Sequence, residues 1–181
     1  MTVRIGTSGW SYDHWVGVLY PPALPKSRRL DAYTAEFDTV ELNASFYRWP
    51  KPTTFAQWRQ RLPAGFAMAV KAPRGLTHAR RLHEPEQWIE RMAAGLIELG
   101  DRRAALLVQL HPAQQRDDER LDHFLSAMPT DIPVAMELRH PTWDGHIREW
   151  DAQGRDVLVY FNNDLGGHAV RNARDLRAMI G

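Results

Sequence analysis

Six short apolar runs in this chain each stop in a cluster of polar residues. Arg4-Ile5-Gly6 leads into Thr7-Ser8, Thr39-Val40-Glu41-Leu42 into Asn43, and Ala67-Met68-Ala69-Val70 ends at Lys71. Leu106 to Leu110 ends at His111-Pro112, Val134 to Leu138 at Arg139-His140, and Val157 to Phe161 at Asn162-Asn163-Asp164. Runs of this length, rich in Val, Leu and Met, read as strands buried on both faces.

Between them lie segments of helical period. Leu30, Tyr33 and Phe37 recur at i, i+3, i+7, and Phe55, Trp58 and Leu62 repeat the spacing, with Thr53-Thr54 as the expected cap and Pro63 as the stop. Trp88, Met92, Leu96 and Leu99 share one face of a helix that begins near Pro85. Leu121, Phe124, Leu125 and Met128 follow Asp117-Asp118, and Pro129 ends that helix. A crossover helix fits around Ile147 to Trp150, and Ala169 to Ile180 gives a last amphipathic helix after Gly166-Gly167-His168. Strand then helix, repeated, predicts βαβ units and a parallel sheet in an α/β fold. No linker, low-complexity segment or close repeat divides the chain, so residues 1–181 are read as one domain.

Composition narrows this picture. At 181 residues, with 44% hydrophobic and 25% charged positions, the chain has enough material for a hydrophobic core. No apolar run is long enough for a membrane helix, and Met1-Thr2-Val3-Arg4 leads into a strand without a signal-peptide pattern. Cys is absent, which excludes disulfides and thiolate metal sites. These features lead to the expectation of a cytoplasmic protein that does not engage membranes. The net charge of +1 provides no global field toward nucleic acid. Lys occurs only at 26, 51 and 71, and every other basic residue is Arg, the side chain suited to bidentate phosphate contacts.

In parallel α/β sheets chemistry collects at the carboxyl ends of the strands. Five constellations lie there. Gly6 to Tyr12, with Trp15 and Tyr20, allows close backbone approach and offers Trp10 for stacking; the competing role is a plug of aromatic side chains. Glu41 stands in an apolar strand, pointing away from Val40 and Leu42, with Asn43, Phe46 and Tyr47 beyond it. Glu137 repeats the pattern, with Arg139, His140 and Trp143 after it. Two inward carboxylates are candidates for an acid/base pair or a metal site, or for ion pairs with Lys71 or Arg139. Gln109 and His111 end another strand. Asn163, Asp164 and His168 surround a Gly pair that opens a helix, an arrangement suited to an anion or to an ordinary turn and cap. No phosphate-binding loop, His-Glu-x-x-His or G-x-S-x-G elbow is present.

Taken together, these stretches resemble the YecE-like family, a domain of unknown function. The matching residues are Gly6 to Tyr12 with Trp15-Val16-Gly17 and Tyr20-Pro21, Val40 to Tyr47, Val70-Lys71-Ala72-Pro73 with Thr77-His78, Glu137 to Trp143, and Tyr160 to Asp164 with Gly167-His168-Ala169. The resemblance implies a TIM-barrel-like (β/α) fold and no established activity; likeness of that fold to metal-dependent endonucleases suggests nucleic-acid processing by analogy. Family members are longer. Here the segment after Trp143 passes quickly to Val157, so about six strands stand where eight are expected, an apparent internal deletion. Open sheet edges beside Leu138 and Val157 would then favour a homodimer.

The resulting expectation is a hydrolase acting on a phosphate-bearing or nucleic-acid-like substrate. Glu41, Glu137 and His140 are its catalytic candidates. Trp10, Asn43, Lys71, Gln109, Arg139, Asn163, Asp164 and His168 are its substrate-binding candidates. A divalent metal is compatible with the carboxylates but not indicated by their spacing, and the cofactor is unknown. The alternatives are a binding module for a nucleic acid or metabolite, and a shortened form that has lost activity.

Overall fold

The computed structural model describes residue 4 and residues 6–143. The expected strand at Val157 to Phe161, the helices around Ile147 and Ala169, and Asn163, Asp164 and His168 lie outside the described residues.

Five strands form one parallel sheet in sequential order: β1 (Thr7–Ser8), β2 (Thr39–Leu42), β3 (Ala67–Lys71), β4 (Arg103–Gln109) and β5 (Val134–Glu137). The helices between them are α1 (Arg29–Thr34), α2 (Pro52–Arg61), α3 (Glu86–Leu96) and α4 (Asp118–Ala127). This is the α/β alternation expected from the sequence, a shortened TIM-barrel-like fold.

Strand alternation explains the core. Val40 and Leu42, Met68 and Val70, and Leu106 and Val108 are all buried and share one cluster with Phe55, Met92, Leu96 and Phe124 from the helices. Full burial of a side chain such as Phe55 contributes roughly 1.5–3 kcal/mol. Gly95 of α3 sits where a Cβ would lie 2.6 Å from Phe55, so the glycine permits close packing of α3 on α2.

Two helix starts follow different rules. Asp117 caps α4 by accepting from Arg120 N at 3.0 Å, as expected. The threonines expected to cap α2 instead lie inside it. Lys51 is the cap residue and makes no side-chain cap bond, while Pro52 opens the helix with its φ already near the helical value. Among the described residues the first strand falls on Thr7 and Ser8, the polar pair into which Arg4-Ile5-Gly6 leads, and pairs there with β2. Gly6 lies against the carbonyl of Thr39, where a Cβ would approach Thr39 O to 2.1 Å.

The register sets the opposite face of the sheet. Ser8 pairs with Glu41, Glu41 with Ala69, Lys71 with Leu107, and Gln109 with Glu137. Because side chains alternate, these residues all lie on the face away from the helices. A bulge makes this so. Between Met68 and Val70 of β3, β4 advances from Arg103 to Leu106, three residues against two. Without that extra residue Leu106 would pair with Lys71, and Gln109 would turn toward the helices.

Candidate functional site

The carboxyl ends of β2 to β5 carry a polar surface in two parts. The first part centres on Glu41. Its Oε1 accepts from Ser8 Oγ at 3.0 Å, and it has no ion-pair partner among the described residues. Asn43 follows at the start of a 3₁₀ turn (Ala44–Phe46), where its carbonyl accepts from Phe46 N at 3.1 Å. Within that turn Ser45 Oγ bridges the carbonyls of Leu42 and Lys71 at 2.6 Å each, tying the end of β2 to the end of β3.

The second part is cationic. Lys71 is only 9% exposed, and its Nζ lies 5.2 Å from the centre of the Phe46 ring. Among the described residues it has no carboxylate partner. The edge of Phe46 also meets His78, with ring centres 4.9 Å apart, and His78 lies 5.3 Å from His111. His78 Nδ1 is 2.9 Å from Thr77 Oγ1, in a π-helical turn (Gly75–Ala79) after β3. Burial holds the His78 imidazole below its usual range, and His111, Arg139 and Lys71 add to the effect by repelling a proton.

Gln109 and Glu137 join the end of β4 to that of β5. Gln109 Nε2 donates to Glu137 Oε2 at 2.8 Å, and Arg139 Nε lies 3.6 Å from Glu137 Oε1. Both partners of the shorter bond are buried, at 7% and 8% exposure. Glu137 is thus held by an amide and a guanidinium, the ion pair weighed from sequence.

The predicted residues therefore divide. Gln109, Glu137 and Arg139 are joined directly, and Lys71 shares with Arg139 the positive charge around His78. Glu41 lies on the same face but three strand spacings from Glu137, roughly 14 Å along the sheet. His140 Nδ1 is 2.9 Å from Thr142 Oγ1 and accepts from Thr142 N in a surface turn. Trp10 packs edge-on against Trp58, with ring centres 5.7 Å apart. Among the described residues no group of three or more His, Asp or Glu side chains is placed to hold a metal ion, and no helix is long and apolar enough to cross a membrane. His78 has a larger part in the site than its sequence neighbourhood shows. The only sequence signal for it is Thr77-His78 within the family-like stretch.

The fold of this chain occurs in other proteins. The family model described as "Protein of unknown function DUF72" matches residues 4–146 and 142–181, and the chain belongs to that family. The two matched stretches overlap at residues 142–146. The chain is 28% identical over 141 residues to UPF0759 protein YecE of Escherichia coli K12, an alignment covering 77% of this chain and 49% of that protein. It is 30% identical over 149 residues to UPF0759 protein YunF of Bacillus subtilis 168, covering 78% and 52%. It thus spans about half the length of these curated relatives. Among solved structures, a DUF72 family protein of Thermotoga maritima superposes with a TM-score of 0.66 at 27% identity, covering 82% of this chain and 62% of that one. A DUF72 family protein of Enterococcus faecalis gives 0.54 at 21% identity, covering 68% and 56%, a likeness of fold.

Proposed function

We propose that the strand-end face is the substrate site of a hydrolase for a phosphate-bearing ligand. The carrying observation is Lys71, a nearly buried cation with no carboxylate partner among the described residues, which with Arg139 and His111 surrounds His78 with positive potential. A desolvated cation of this kind is best satisfied by an anion. Lys71 and Arg139 hold the phosphate. His78, neutral at pH 7, is the group able to accept a proton there. Glu137 keeps Gln109 and Arg139 in place, and Glu41, whose carboxylate accepts from Ser8 Oγ, stands across the face as a second base. A non-catalytic binding module is the competing reading, favoured by the engagement of His140 and Glu137 in fixed contacts.

Calorimetric titration with inorganic phosphate tests the anion site. Lys71→Met is expected to weaken binding tenfold or more, in line with loss of one charge-assisted contact; unchanged affinity refutes the assignment. Turnover of bis(p-nitrophenyl) phosphate that falls with His78→Asn or Glu41→Gln supports the hydrolase. Phosphate binding without turnover favours the binding module.

A further inference from the structure

A separate cleft opens on the other side of Phe46 and His78, between the turn after β2, the π-helical turn after β3, and α3. Its volume is about 500 Å³. Its wall carries Arg48, Arg74 and Arg91, and among the described residues no acidic side chain lines it. None of these arginines has an ion-pair partner among the described residues, whereas Arg28, Arg61, Arg80 and Arg103 each have one. Unpaired guanidinium groups facing one space leave a concentrated positive potential. Two aromatic surfaces accompany them. Tyr47 is 69% exposed, with the Arg74 guanidinium 5.8 Å from its ring centre. Trp88 lies flush on the chain at Gly75, where a Cβ would meet its Cη2 at 2.4 Å. The glycine therefore lets the indole form one wall of the cleft.

We propose that this cleft binds a nucleoside phosphate, free or as a unit of a single strand, with Arg48, Arg74 and Arg91 on phosphate and the base stacked on Tyr47. Guanidinium is matched to phosphate geometry, and an exposed phenol ring provides a stacking surface indifferent to base identity. Three uncompensated charges suit more than one phosphate oxygen group, which favours a polyphosphate or a strand over a lone monoester. His78 and Phe46 border both spaces, but the three arginines are distinct from Lys71 and Arg139, so variants at the arginines test the cleft separately from the strand-end site.

The test uses the full chain, with tryptophan quenching and calorimetry, against thymidine monophosphate, a thymidine hexanucleotide and inorganic phosphate. The wild type is expected to bind the hexanucleotide at 50 mM salt, with affinity falling as salt rises at a log-log slope of about −2 for three phosphate contacts. Arg74→Gln with Arg91→Gln is expected to cost a hundredfold or more, and Tyr47→Ala fivefold or more, while Arg28→Gln, at an exposed arginine paired with Asp31 outside the cleft, leaves hexanucleotide binding intact. Arg28, Tyr47, Arg74 and Arg91 are all exposed, so these variants should fold, as circular dichroism would verify. Hexanucleotide binding more than tenfold tighter than the monophosphate assigns the cleft to a strand; equal affinity assigns it to a free nucleotide. Absence of binding, or affinity unmoved by the double arginine variant, overturns the proposal. A silent Tyr47→Ala, with phosphate bound as tightly as the nucleotide and weakened equally by the double arginine variant, overturns the stacking role and the ligand class with it.

Discussion

Replacing Gln109 with Leu isolates the contact that joins the last two described strands. The Gln109 Nε2 to Glu137 Oε2 bond is 2.8 Å long and buried at both ends. A hydrogen bond to a charged group contributes about 1.5–3 kcal/mol when one partner is lost and the other stays buried. Arg139 cannot offset this loss fully. Its nitrogen is 3.6 Å from the other carboxylate oxygen, and its side chain is 36% exposed, so the pair is screened and worth under about 1 kcal/mol. Gln109→Leu is therefore expected to cost about 2 kcal/mol, lowering Tm by roughly 4–8 °C for a chain of this size. Removing both partners, as Gln109→Leu with Glu137→Leu, leaves no orphaned carboxylate and should cost less than the single change. Urea unfolding followed by tryptophan fluorescence reads both values, with an unchanged m establishing that the denatured state is comparable. If the single change falls within about 0.5 kcal/mol of wild type, or if the two single costs simply add, the contact is not the buried, coupled bond described here.

Gly95→Ala gains helix propensity worth about 1 kcal/mol but drives a Cβ to 2.6 Å from Phe55, a ring with no exposed surface. The clash should win, giving net destabilisation of about 1–2 kcal/mol that Phe55→Leu in the same chain relieves; a stabilised Gly95→Ala would show that the helices separate freely. His78 makes stability depend on pH. Its folded pKa lies below the ordinary 6.5, so the unfolded chain binds the proton first as pH falls. Stability is thus full above 6.5, declines as pH drops through that value, and stops declining below the folded pKa. Urea midpoints at pH 7.5, 6.5 and 5.5 should show a shallower decline in His78→Asn than in wild type, and parallel curves would contradict the placement of His78 beside its cationic neighbours.

Membership of the DUF72 family fits a site made mostly of strand ends, because the stretches that carry the resemblance contain Glu41, Lys71, His78, Glu137 and Arg139.

Strand position, strand direction and the polar ends were legible along the chain, because buried parallel strands and amphipathic helices impose periods that need no knowledge of distant partners. The direction of Glu41 was legible too, since Val40 and Leu42 occupy the core face on either side of it. The grouping of the site was not. Gln109 meets Glu137, and both share a face with Lys71, only because one extra residue in β4 shifts the register, and nothing in Arg103-Ala104-Ala105-Leu106 announces a bulge. His78 reaches Phe46 and His111 through a π-helical turn with no period of its own. The arginine cleft joins residues from three separate elements, each an unremarkable surface arginine in the sequence. Local periodicity determined the elements and the end of the sheet where polar groups collect; pairing between distant strands and turns decided which of those groups touch, and therefore what chemistry they can share.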